Sequence, residues 1–158
     1  MITMAAEITI HRPPEQVFEY LADLANLSEW QGNVVRATVT TPGPVRVGTE
    51  YTQFMRMGPA TVEGRCRITG YEPGRALAFT LESRMLNCAG QLRLDPVAGG
   101  TRLTSTGTGH LRGPWRVLTP VVQAQVKRDS AHEVARIKAE VEAAGRPGGG
   151  MGQPVAEA

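Results

Sequence analysis

"PPEQVFEYLADLANLSEW", residues 13–30, is the stretch on which the fold turns. Two prolines and Glu15 suit the first turn of a helix, where a missing N–H costs nothing and a carboxylate meets the positive helix end. Val17, Phe18, Leu21 and Leu24 then recur at helical spacing. Asn26 and Ser28 interrupt it, so a second short helix or turn is expected to run to Trp30. Before the prolines, Met4, Ala6, Ile8 and Ile10 alternate with Ala5, Glu7 and Thr9, the period of a half-buried strand. A strand followed at once by a broken helix is expected to close one end of whatever the rest of the chain builds.

From residue 34 the period becomes two and stays there. Val35, Ala37 and Val39 form one face of a strand; Tyr51, Gln53, Met55 and Met57 form the next. Val62, Gly64, Cys66 and Ile68 follow, then Leu77, Phe79, Leu81 and Ser83, then Cys88, Gly90, Leu92 and Leu94, and finally Leu103, Ser105 and Gly107. "TPGPVRVG", "MGP", "EPGR" and "PVAGG" are the turns between them. This predicts an antiparallel meander with one wet face. After "RGPW" the helical period returns: Leu118, Val122, Val126, Val134, Ile137 and Val141 form one stripe of a long helix over residues 115–144. Pro120 lies near its start and Gly145 ends it. Residues 145–158, rich in Gly and Pro, read as a flexible tail after a single domain over residues 1–144.

Composition excludes several function classes. The 158 residues suffice for one domain with its own core, and a net charge of +2 with scattered basic residues leaves no nucleic-acid footprint. No apolar run approaches the ~18 residues of a membrane span, and the N-terminus lacks the pattern of a signal peptide. Cys66 and Cys88 lack metal-ligand spacing, so the expectation is a reduced, cytoplasmic protein without metal or cofactor.

One strand, a broken helix, six meandering strands and a long helix make an α+β layout. The pieces "PPEQVFEYLADLANLSEW", "VGTEYTQFMRMG", "ITGYEPGRALAF", "LRLDPVAGGTRLT" and "RDSAHEVARIKAEVE" occur in an order that resembles the START/polyketide-cyclase superfamily, SRPBCC, over about residues 4–143. The resemblance implies the helix-grip fold: a curved seven-stranded antiparallel sheet wrapped around the C-terminal helix, with two short helices after the first strand. It also implies lipid binders, hormone receptors, polyketide aromatases and cyclases, and oxygenase domains as functional relatives.

The alternation divides the sheet into an inner and an outer side. Gly64, Gly90 and Gly107 share the inner side with Cys66, Cys88, Ser83 and Ser105. Side chains this small do not fill a curved sheet to native density unaided. Either the long helix presses close, or a cavity of a few hundred Å³ remains for an apolar ligand. Tyr51, Gln53, Ser83 and Ser105 are the polar inner groups, whereas Glu63, Arg65, Arg67, Glu82 and Arg93 are expected outside. The sheet therefore offers no inward carboxylate or His for acid–base chemistry, and no nucleophile beside a base.

The expected ligand-binding set is Trp30, Tyr51, Gln53, Met55, Phe79, Cys88, Ser105, Leu118 and Val122. Each has a structural alternative: Trp30 as a plug for the sheet end, Tyr51 with its hydroxyl on backbone, Met55 as gap-filling core. A buried Gln53 amide needs partners or costs about 1–3 kcal/mol. Tyr51, Gln53, His110 and Asp129 are the catalytic candidates; His110, at the strand–helix junction, has a solvated loop His as its alternative, and Asp129, near the helix's apolar side, a solvated or Arg-paired carboxylate. The function expected is binding of a lipid- or polyketide-like small molecule. The alternatives are a cyclase that folds a polyketone and closes a ring, in which outward arginines argue against aromatisation, and a partner-binding module with a vestigial cavity. Homo-oligomerisation is left open.

Overall fold

The structure, a computed structural model, describes residues 1–144; the tail expected from residue 145 onward lies outside the described residues. Strand β1 (Ile2–Ile10) leads into α1 (Pro14–Ala22), a 3-10 turn (Leu24–Asn26) and α2 (Leu27–Trp30). Strands β2 (Val34–Val39), β3 (Glu50–Met57), β4 (Ala60–Glu72), β5 (Ala76–Glu82), β6 (Leu86–Val97) and β7 (Gly100–Leu111) follow. A 3-10 turn (Gly113–Leu118) then enters α3 (Thr119–Ala144). All strand pairs are antiparallel, in the order β1-β7-β6-β5-β4-β3-β2. The expected helix-grip architecture is present.

The α1 apolar stripe, Val17, Phe18 and Leu21, is buried against the sheet end. Phe18 meets Tyr71 of β4 edge-on, ring centroids 5.2 Å apart, a geometry that favours the ring edge over the opposing π face. Asp23 accepts from the Ala25 N–H and restarts the chain into the 3-10 turn, which is why the helix breaks before Trp30. Trp30 itself is buried. The end-closing role of residues 13–30 is therefore observed.

Two expectations fail locally. Val34, not Val35, faces the core of β2, because a bulge between Val34 and Arg36 places Val35 out of register on this edge strand. The long helix also does not start at residue 115: Gly113–Leu118 is a 3-10 segment, with Gly113 at φ 54°, and regular α geometry begins at Thr119 with Pro120 in its first turn.

The grip of α3 is uneven. Its buried residues are Ser130, near its middle, and Val134, Ile137 and Val141 in its C-terminal half. The end of that part is clamped to the β1–α1 corner. The His11 N–H and Lys138 Nζ donate to Glu142 Oε2 at 2.8 and 2.7 Å, and Arg12 donates to the Glu142 carbonyl at 2.6 Å. Lys138 also donates to the Thr9 carbonyl at 2.8 Å. The two donors on the Glu142 carboxylate hold its pKa below the usual value. The first ten residues of α3 contain no buried side chain.

Candidate functional site

Antiparallel register lines up the inner side chains in rows across the sheet. One row runs Tyr51, Cys66, Leu81, Cys88, Gly109; the next runs Ile68, Phe79, Gly90, Gly107, Met4. The outward placing of Glu63, Arg65, Arg67, Glu82 and Arg93 is observed, since all five are exposed. Cys66 and Cys88 have free thiols. Strand β5 separates them, so their Cα atoms lie about 10 Å apart, too far for a disulfide. Burial pushes the Cys66 thiol up to about 12, with the Cys88 charge adding to the effect, and burial pushes Cys88 up to about 11. Both are therefore protonated and unreactive at neutral pH. Burial also raises the Tyr51 hydroxyl pKa, with Cys66 and then Cys88 contributing, which keeps Tyr51 a neutral hydrogen-bonding group.

The inner glycines are partly filled. A Cβ on Gly64 would meet Leu81 and Met55 at 3.1 Å, so these side chains occupy the space that Gly64 leaves. Met55 is gap-filling core here. The Phe79 ring lies over Gly90, 2.9 Å from such a Cβ, and the Met4 methyl lies over Gly107 at 3.1 Å. What remains is an apolar cleft of about 120 Å³ between this row and Val122 and Val126 of α3, with Cys88 and Leu86 in its wall. The expectation of a few hundred Å³ is thus too large by a factor of a few, because three long side chains bend into the gaps beside small residues. Gln53 and Ser105 keep 6% and 7% exposure inside the fold, and neither side chain has a hydrogen-bond partner among the described residues. Neither is among the fully buried polar atoms left without a partner, which are Arg12 Nε and Trp30 Nε1 among the described residues.

A second, larger hollow of about 710 Å³ lies where α3 passes the α2–β2 connection and the β3–β4 turn. Trp30, Asn33, Arg56, Asp129, Glu133 and Arg136 are among its lining residues. The Arg136 guanidinium packs on Gly32, 3.2 Å from where a Cβ would sit. Buried Trp30 Nε1 has no acceptor among the described residues. Asp129, for which a place at the cavity and a solvated or Arg-paired carboxylate are the two readings, belongs to this groove and accepts from Gln125 at 3.4 Å. Glu133 was not anticipated. The available signal was its position four residues after Asp129 and four before Ile137, which puts it on the flank of the buried stripe. Burial, and then the Asp129 charge, push its carboxyl up to about 7, against an opposing pull from Arg136. His132 is exposed and also lines this groove.

The Glu133 shift fixes the sign of a pH effect. Between the ordinary value of 4.5 and about 7 the folded chain holds a proton that the unfolded chain has released. Stability contributed by this group therefore falls as pH rises through that window and is constant above it. Glu133→Gln should remove the slope: its melting temperature, compared with wild type, rises on going from pH 5 to pH 8 by a few degrees. That corresponds to about 1 kcal/mol at 2–4 °C per kcal/mol, a partial penalty because the groove is open to water. Parallel curves for the two proteins across this range would refute the assignment.

Two site expectations are corrected. His110 is exposed on the outer side of the sheet. Strand β7 continues to Leu111, so the residue after inward Gly109 must face out. Leu118 is exposed in the 3-10 segment, whose tighter winding breaks the helical phase that would have continued the stripe from Val122. Trp30, Tyr51, Gln53, Met55 and Ser105 are buried, and Phe79, Cys88 and Val122 are half-buried in the cleft wall.

The family profile described as "Polyketide cyclase / dehydrase and lipid transport" matches residues 1–142. The chain belongs to this family. Uncharacterized proteins of Mycobacterium bovis and Mycobacterium tuberculosis are each 31% identical to it over 123 residues, covering 73% of this chain and 72% of theirs. Among solved structures, the Zhui aromatase/cyclase of a Streptomyces species superposes with a TM-score of 0.80 at 16% identity, covering 94% of this chain and 98% of that one. A START superfamily protein from Mycobacterium smegmatis superposes with a TM-score of 0.74 at 10% identity, over 89% of this chain and 97% of that one. These likenesses establish the SRPBCC-type helix-grip fold. Among the described residues of this family member, no helix is long and apolar enough to cross a membrane.

Proposed function

We propose that the chain binds a lipid- or polyketide-like small molecule between the sheet and the N-terminal half of α3. The observation that carries this is the apolar cleft under Val122 and Val126, within the first ten residues of α3, which contain no buried side chain. At about 120 Å³ the cleft is smaller than the roughly 300–1,000 Å³ typical of ligand pockets. The ligand therefore enters by lifting this half of the helix while Val134, Ile137 and Val141 hold the other. Gln53 and Ser105 are buried but do not line the cleft as it stands, so a ligand reaches them only as the helix lifts. Filling the cleft tests the reading. Val122→Trp should weaken binding of the apolar fluorophore anilinonaphthalene sulfonate at least about tenfold, since burial of the probe is its main attraction. Equal affinity in wild type and variant would remove the cleft from the site.

Glu133 favours a cyclase as the second reading. A carboxyl near neutrality can both give and take a proton at pH 7, which ring closure and dehydration of a polyketone require. Asp129 and Trp30 share its groove. Turnover of a model polyketone by wild type, lost in Glu133→Gln with the fluorophore still bound, would identify the enzyme; binding without turnover identifies the carrier.

A further inference from the structure

The surface where β7 hands over to α3 takes no part in either hollow described above. Trp115, Val117, Leu118 and Val121 are all exposed there, Val117 at 80% and Val121 at 66%. Four large apolar side chains exposed within seven residues are a concentration of the kind that marks an interaction surface.

Charge singles out the partner. No Asp or Glu lies between Asp95 and Asp129, while Arg112, Arg116, Lys127 and Arg128 do. None of these four has an acidic partner among the described residues. Arg112 donates to the Ser83 carbonyl at 3.0 Å, which holds the guanidinium in place without neutralising it. Arg128 lies seven residues beyond Val121, two turns along the same side of α3. A second copy of the chain would bring the same positive face against itself. An anionic bilayer meets both requirements: its headgroups attract the arginines, and its interfacial layer takes Trp and Val side chains.

We propose that Trp115, Val117, Leu118 and Val121, with Arg112 and Arg116, dock the protein on an anionic membrane surface. Val122 and Val126, which line the apolar cleft, follow directly on this segment. Docking therefore sets the rim of the cleft at the bilayer. The proposal goes beyond the ligand reading and does not depend on it.

The test is co-sedimentation of the full-length protein with vesicles of mixed phosphatidylglycerol and phosphatidylcholine, and with phosphatidylcholine alone. Binding to the mixed vesicles should be at least about tenfold tighter, should weaken with added salt, and should shift tryptophan emission to the blue as Trp115 leaves water. The double variant Val117→Asp/Val121→Asp should lose at least about tenfold in vesicle affinity at an unchanged melting temperature, because both side chains are exposed. It should still bind anilinonaphthalene sulfonate in the absence of vesicles, which keeps the ligand reading separate. No vesicle binding, binding indifferent to lipid charge, or full binding by the variant would each overturn the proposal. Self-association abolished by the variant, without vesicle binding, would assign the face to a second copy and overturn it too.

Discussion

Gly100→Ala is expected to destabilise the protein by more than about 3 kcal/mol, a drop in melting temperature of at least about 6–12 °C for a chain of this size. A Cβ at Gly100 would land almost on the Ile10 carbonyl oxygen, with the His11 Cα at 3.0 Å. Both are backbone atoms, so no side chain can swing aside to make room. The backbone there is also held from both directions. Thr101 pairs with Ile10 at the end of the β1–β7 ladder, and its buried hydroxyl donates to the Arg12 carbonyl at 2.7 Å. Moving β1 away would break these bonds and loosen the corner to which the end of α3 is clamped. The neighbouring Gly99→Ala is the control. Gly99 has φ 82°, and nothing lies within 4 Å of its missing side chain, so alanine there costs about 1–2 kcal/mol of backbone strain alone. Thermal melts of the two variants decide the matter, and equal losses would show that the approach of the β1 end to the start of β7 is not tight.

Ile137→Ala should cost about 2–5 kcal/mol, whereas Val122→Ala should cost less than about 1 kcal/mol. Ile137 is fully buried in the centre of the α3 grip, between Val134 and Val141, and deleting its outer carbons leaves a cavity that clamped surroundings cannot close. Val122 lies half-buried beside an existing void, so its truncation only enlarges that void. Urea titrations should show the midpoint fall in Ile137→Ala with little change in slope. Similar losses in both variants would mean that α3 is held evenly along its length, and the lifting of its first half on ligand entry would then have no structural basis.

The sequence by itself determined the element order and the two sides of the sheet. Where no bulge interrupts it, a strand's period of two assigns the sides once turns mark its ends, and Arg65, Arg67 and Glu63 could not face an apolar interior without partners. The uncovered Val35 and the displaced Leu118 were not legible, since a bulge and a 3-10 turn each shift the phase by a fraction of a turn while leaving the residue pattern intact. The size of the cleft and the environment of Glu133 were decided only by tertiary structure. Phe79, Met4 and Met55 bend from neighbouring positions into the space beside the glycines, and composition does not reveal where a flexible side chain points. The Glu133 carboxyl is pushed up to about 7 by burial and then by the Asp129 charge, in a groove that brings α3 beside Trp30 and the β3–β4 turn, which lie far from it along the chain. Local periodicity sets which way a residue faces; what waits on the other side is set by contacts across the whole fold.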